Sequence, residues 1–293
     1  MIMRKLIILL LILPFVTVGQ KYVVSNGKYV KINGKYVRDA ESTTPPYSYQ
    51  AETLAWIALL SGTYTDDQKQ AMDSLVIRLK NDTLWTIADR IFPFAFFNAS
   101  DALIDMKASS DNATAVNSPT FTAKEGYKGN GSSSYINSNF IPATDGVNWT
   151  LNNASIGVYV NEASTGSNPY HMGGYTTGSN ATSIAASTSG AESINSGFIS
   201  LGAGDIVGLR LNNRISSSTI KVFWNNNTYT FASAANTLTP VPLYIFALRD
   251  GAGVGFYANS ELSFVYIGGS LSSAQPAKLQ SIIVWWKNKI ATL

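Results

Sequence analysis

The order of apolar and polar positions gives the chain four successive textures. Leu6 to Leu13 is an unbroken apolar run continued by Pro14-Phe15-Val16, with Arg4 and Lys5 before it and Thr17 and Gly19 after it. A charged start, a short apolar stretch and small residues predict a secretory signal peptide over 1–19, cleaved after Gly19, with an uncleaved N-terminal anchor as the alternative. The apolar stretch falls short of the ~20 residues that a membrane-crossing helix needs. Next, Asn26-Gly27-Lys28-Tyr29-Val30 recurs as Asn33-Gly34-Lys35-Tyr36-Val37. Asn-Gly pairs favour type I′ turns, whose central residues both take positive φ, so 20–46 reads as a short three-stranded β-meander (Tyr22 to Arg38) and a linker. So small a sheet needs a surface to pack on, a neighbouring domain or a second copy; the other reading is a tyrosine-rich linker. Thr43-Thr44-Pro45-Pro46 breaks regular structure.

From 47 to 100 the spacing is that of a small α-helical unit. Thr53, Leu54, Ile57, Ala58 and Leu60 predict a first helix stopped by Gly62. Thr65 with Gln68 forms a capping box, and Ala71, Met72, Leu75, Val76 and Leu79 follow at three- and four-residue intervals. A further helical turn or two is predicted through Leu84, Trp85, Ala88 and Ile91 before Pro93. From 101 the texture turns to strands. Ala154 to Val160, Ile220 to Trp224 and Leu262 to Ile267 alternate apolar and polar residues between Gly, Asn and Ser clusters. About a dozen short strands between Pro119 and Ile267 call for a two-sheet sandwich or a barrel. A last helix, capped by Ser272 or Ser273, buries Leu279, Ile282, Ile283 and Trp286.

Composition narrows the chemistry. Cysteine is absent and His171 is the one histidine, which removes disulfides, thiolate nucleophiles and His-rich zinc sites. Charged residues make up 13% of the chain and the formal charge is +3, so no basic footprint for nucleic acid is present. A glycosidase needs two facing carboxylates, yet Asp111, Glu125, Asp145, Glu162, Glu192, Asp205, Asp250 and Glu261 stand isolated in the β-rich part. No G-x-S-x-G elbow occurs, and Tyr170-His171-Met172-Gly173-Gly174 gives His171 no adjacent carboxylate. No catalytic residues and no metal ligands are expected. His171 reads as a hydrogen-bonded or solvated loop residue, and the glycine stretches as turns.

Several ordered motifs carry a resemblance. Val116-Asn117-Ser118-Pro119-Thr120-Phe121-Thr122, running on through Gly126-Tyr127-Lys128-Gly129-Asn130-Gly131 to Ile136, resembles the concanavalin A-like (laminin G-like) jelly-roll of tailed-phage structural and tail-fibre proteins, of the type common in Bacteroidota phages. Leu79 to Trp85 with Ile91-Phe92-Pro93-Phe94 resembles the helical unit that precedes it, and Phe264 to Leu271 with the closing helix resembles its end. The resemblance spans about Gln50 to the C-terminus. It implies a mainly β fold: a two-sheet jelly-roll over 101–293 that includes the C-terminal helix, preceded by the helical unit and the meander. Its family supplies no catalytic residues. The expected role is a non-enzymatic virion or tail-associated protein whose lectin-like domain attaches to a host-surface glycan or to other virion subunits. The alternative is a secreted bacterial carbohydrate-binding module, which agrees with the leader. Calcium could be held by loop Asp or Asn side chains, as in some laminin G-like domains, but no ligand series is readable and no cofactor is expected.

Glycan recognition needs flat aromatic faces with amide or carboxylate groups beside them. The candidates in expected loops are Tyr170, His171, Tyr175, Trp149 and Asn168, and separately Arg249 with Asp250. Trp224 reads as core, and Asn225 to Asn227 as a hairpin turn. A single low-charge site of this kind binds weakly, so a homo-oligomer is the expected form.

Overall fold

Period-two alternation lets each long strand bury one side in a sandwich and, in one of the two sheets, the other side under helices. The computed structural model describes residues 29–32, 35–38, 47–107, 111–165, 169–186, 191–200, 207–224, 226–251 and 253–293, the first two ranges as backbone only. Two units are distinguished, 1–48 and 49–293. In the first, β1 (Tyr29–Ile32) and β2 (Lys35–Arg38) pair antiparallel with Ile32 opposite Lys35, leaving Asn33-Gly34 between them. The third meander strand and the leader segment lie outside the described residues.

The second unit opens with α1 (Ala51–Ile57), α2 (Asp66–Asn81) and α3 (Leu84–Ile87), followed by β3 (Ala88–Phe92) and α4 (Ala99–Ala102). Four short strands come next: β4 (Thr114–Val116), β5 (Thr120–Thr122), β6 (Gly126–Lys128) and β7 (Tyr135–Asn137). After α5 (Pro142–Asp145) run β8 (Ala154–Glu162), β9 (Tyr170–Tyr175), β10 (Ala181–Ala185), β11 (Ala191–Ser196) and β12 (Ile199–Ser200). The remainder is β13 (Gly208–Ser216), β14 (Thr219–Trp224), β15 (Asn227–Ala232), β16 (Tyr244–Ile245), β17 (Leu248–Asp250), β18 (Gly253–Gly255), β19 (Glu261–Gly268) and α6 (Gln275–Ala291). One sheet has the order β15-β14-β13-β8-β19-β6-β5, with β3 also on β19; the other has β12-β11-β10-β9-β16-β7-β4, with β17 and β18 attached to β9. All pairings are antiparallel except β17 beside β9. Of the sandwich and the barrel that the alternation left open, this is the two-sheet sandwich, consistent with the jelly-roll that the resemblance implied.

Val158 and Ile156 lie beside Val265 and Ile267 on the inward side of the first sheet, packed with Met172, Ile184, Ile194 and Ile245 of the second. Its outward side, carrying Tyr159 and Tyr266, is roofed by helices. The Tyr266 hydroxyl donates to Leu84 O at 3.0 Å, and Trp286 of α6 donates from Nε1 to Ala95 O at 2.9 Å. As expected, α6 buries Leu279, Ile282, Ile283 and Trp286, and Thr65 and Gln68 close a reciprocal capping box on α2.

Three local expectations are corrected. Ala88 and Ile91 are strand, not helix: β3 pairs with β19, Phe92 opposite Val265, and all five of its residues are buried. A ladder inside a sheet outweighs a marginal helical propensity. The strand also joins the helical stretch to the sandwich, with 49–293 a single compact unit. On α1 the buried side is Thr53 and Trp56, while Leu54 is exposed. The α6 N-terminus has Ala274 at its cap position without a side-chain bond; instead Gln275 Oε1 accepts from the Ser272 N–H at 2.7 Å.

Candidate functional site

The aromatic and histidine candidates expected in loops are largely interior. Tyr170 and His171 lie on β9, not in a loop; Tyr170 is 7% exposed and His171 fully buried. The Tyr170 hydroxyl accepts from Ala191 N at 3.3 Å and its ring packs on Ala185 and Leu248. His171 Nδ1 lies 2.9 Å from Ser260 Oγ. Trp149 is buried edge-on to Phe140 and donates from Nε1 to Asn195 Oδ1 at 3.3 Å. None of these three offers a face on which a sugar ring could stack. Strand pairing accounts for the difference: β9 has β10 on one edge and β16 and β17 on the other, so a stretch that reads as a glycine-flanked loop becomes a central strand. Asn168 lies outside the described residues. Trp224 is core, as expected.

Tyr175 differs because it ends β9. It is half-buried, its ring meets that of Phe198 edge-on at 5.5 Å between centroids, and its phenol pKa is raised first by burial and then by the charge of, and a hydrogen bond with, Asp250. The side of the second sheet that carries Tyr175 also carries Tyr244, opposite Gly173, and Tyr135 one strand further on. Their alternate neighbours Met172, Ile245 and Ile136 point into the core, so these tyrosines lie on the outer side. Tyr135 and Tyr244 stack at 4.6 Å with 26° between ring planes, and the Arg249 guanidinium sits 5.9 Å from the centre of the Tyr244 ring. Arg249 is held by a 2.6 Å bond from Nη1 to Gly253 O. The outer side thus bears half-exposed rings, Tyr135, Tyr244, Tyr175 and Phe198, flanking adjacent side chains of opposite charge, Arg249 and Asp250. Arg249, Asp250 and Tyr175 were legible as candidates in the sequence. Tyr135 and Tyr244 were not, because β7 and β16 are too short to show a pattern and meet only through the sheet.

Within the sandwich lies a second polar group that sequence reading left as scattered residues. Glu192 of β11 and Arg210 of β13 form an ion pair at 2.6 Å, each side chain 1% exposed. Asn212 Nδ2 donates to Glu192 Oε2 at 2.7 Å and to Ser183 O at 2.6 Å, and the Arg210 guanidinium lies 4.7 Å from the centre of the Trp224 ring. Further along β13 on the same interior side, Arg214 Nε donates to Ile194 O at 2.7 Å; burial brings its pKa down to about 10. This group joins the sheets. Two further carboxylates have comparable structural tasks: Asp145 accepts from Ile141 N and Asp89 from Asn148 N and Trp149 N.

Cavities lined by described residues offer little. One of about 40 Å³ under Phe223, Leu211 and Pro276 admits a few waters. A wider groove of about 560 Å³ between α2 and α6 has no aromatic lining, and Lys278 and Asp82 pair there at 3.6 Å. Among the described residues no three His, Asp or Glu side chains are placed to hold a metal ion, and no helix is long and apolar enough to cross a membrane.

No protein-family model matches the chain, and no curated protein does. Among solved structures, domain 4 of AbnA, a GH43 extracellular arabinanase from Geobacillus stearothermophilus in complex with arabinotriose, is similar at 9% identity and a TM-score of 0.35, covering 67% of this chain and 98% of that one.

Proposed function

We propose that this protein is a non-enzymatic glycan-binding sandwich whose ligand lies along the outer side of the second sheet. The observation that carries the reading is the row of half-exposed rings at Tyr135, Tyr244, Tyr175 and Phe198 with Arg249 and Asp250 between them. Ring faces accept sugar C–H groups, and a fixed guanidinium beside a carboxylate supplies both donors and acceptors to hydroxyls. The carboxylates of the sandwich interior are taken up in structural bonds, which favours recognition over hydrolysis. The setting we propose is the one implied by the sequence resemblance, a tail-associated virion component attaching to a host surface. The secreted module is the second reading, favoured by the charged and apolar N-terminus; in it the mature chain starts near Gln20, which N-terminal peptide mass reads directly.

The test is a glycan array with the full chain, followed by titration of the best ligand. Tyr244→Ala and Tyr175→Ala are expected to weaken binding several-fold with the thermal midpoint nearly unchanged. Binding unaffected by either substitution would remove the outer side as the site. New reducing ends released from any bound polysaccharide would end the non-enzymatic reading.

A further inference from the structure

Where α6 crosses the outward side of the first sheet, three side chains from distant parts of the chain converge. Lys287 of α6 reaches Asn161 of β8, with Nζ 2.5 Å from Oδ1. Asn161 Nδ2 in turn donates to Glu261 Oε1 of β19 at 2.9 Å and to Glu125 O at 2.8 Å. Both carboxamide hydrogens are therefore held, and the carbonyl oxygen is left to the lysine. We propose that Lys287 and Asn161 form an intramolecular isopeptide bond, with Glu261 carrying the proton, so that α6 is joined covalently to β8.

The chemistry asks for an amine beside a polarised carboxamide and an acid–base group on the departing nitrogen. Lys287 supplies the first. It is half-buried under the helix, with the Tyr159 ring centre 5.1 Å from Nζ, and among the described residues it makes no ion pair within 4 Å. Burial lowers its pKa, against the opposing pull of Glu125 and Glu261, which increases the share of neutral amine. Glu261 is bonded to Nδ2 and not to the lysine; once the neutral amine has added and both nitrogens sit on Cγ, that carboxylate is within reach of each and carries a proton from Nζ to the leaving Nδ2. The Nζ–Cγ bond forms, the Cγ–Nδ2 bond breaks, and Nδ2 leaves as ammonia with the proton that Glu261 delivers. An ammonium and a carboxamide become a secondary amide and an ammonium ion; nothing is oxidised or reduced, and no further reactant is needed. A lysine serving only as a charge partner would meet the Glu261 carboxylate directly. Here the amide stands between them.

Peptide mapping by mass spectrometry on the folded full chain tests this. The expected result is a branched peptide joining the Asn161 and Lys287 segments, lighter than its two linear parts by one ammonia, with no tryptic cleavage after Lys287. Lys287→Arg and Asn161→Ala should give linear peptides only, and Glu261→Gln should do so while keeping the circular-dichroism spectrum of the parent. Linear peptides with both residues intact in the folded parent overturn the bond, whatever the variants do. Ammonia loss confined to the Asn161 peptide, as a cyclic imide, overturns it equally. A branched peptide formed undiminished in Glu261→Gln would overturn the role given to that residue.

Discussion

Removing the Glu192 carboxylate leaves the Arg210 guanidinium buried between the sheets without that counter-charge. Breaking one side of a buried pair costs about 3–5 kcal/mol, far more than the pair adds over an apolar substitute. Glu192→Ala is therefore expected to lower the unfolding free energy by an amount of that order, read as a lower urea midpoint with the slope unchanged. Tyr170 belongs with it: ring burial against Ala185 and Leu248 makes Tyr170→Ala a core deletion of about 3 kcal/mol, measurable in the same titration. Tyr244 and Tyr175 lie on the open side of the same sheet, so their truncation is to be read in binding and not in stability. How far neighbours cover a ring, as Ala185 and Leu248 cover Tyr170, thus separates a structural tyrosine from a candidate contact.

Among the elements, β6 shows how a glycine can set a pairing. Gly126 has a φ of +144°, and a Cβ built there would lie 2.1 Å from Leu262 O of β19. Both the left-handed region and the close approach exclude a side chain. Gly126→Ala is expected to disturb the β6–β19 contact and to cost several kcal/mol, seen as a fall in thermal midpoint and as faster amide exchange at Tyr127 and Leu262. The α2 capping box and the buried stripe of α6 need no such special contact. Their patterns are complete within the elements themselves.

For the molecule as a whole, the loop after α1 is tied to α4 by one carboxylate. Asp101 accepts from Ser61 N, Ser61 Oγ and Gly62 N, each at 2.8 Å, from Asn98 Nδ2 at 2.9 Å, and from the Tyr64 hydroxyl. Burial works to raise its pKa, but the bonds from Tyr64, Asn98 and Ser61 outweigh it and hold the group at about 2. A carboxylate depressed in the fold contributes stability that is complete above its ordinary pKa near 4 and is lost as the pH falls toward about 2. Acid titration of the unfolding free energy should show a decline of about 2 kcal/mol across that window from this group. Asp101→Asn should be less stable near neutrality and lack that part of the acid slope; an unchanged slope would assign it to other carboxylates.

Much of this was open to reading from the residues in order. Alternation gave strands and narrowed the fold to a sandwich or a barrel, Thr65 and Gln68 gave a helix start, and Leu279 to Trp286 gave a buried helix face, because period and capping are local properties of the backbone. Tyr175, Arg249 and Asp250 were visible as polar aromatic neighbours of turns. What sequence order could not reveal was how strands far apart in the chain lie against each other. The pairing of β3 with β19 turned an expected helical turn into a strand. The pairing of β9 with β10 on one edge and with β16 and β17 on the other withdrew Tyr170 and His171 from solvent. Tyr135 met Tyr244, Glu192 met Arg210, and Asn161 met Lys287 across wide gaps in the chain. Such contacts depend on which sheet edges are left to be filled and which faces remain uncovered once the chain has collapsed, and those are properties of the assembled sandwich rather than of any segment in it.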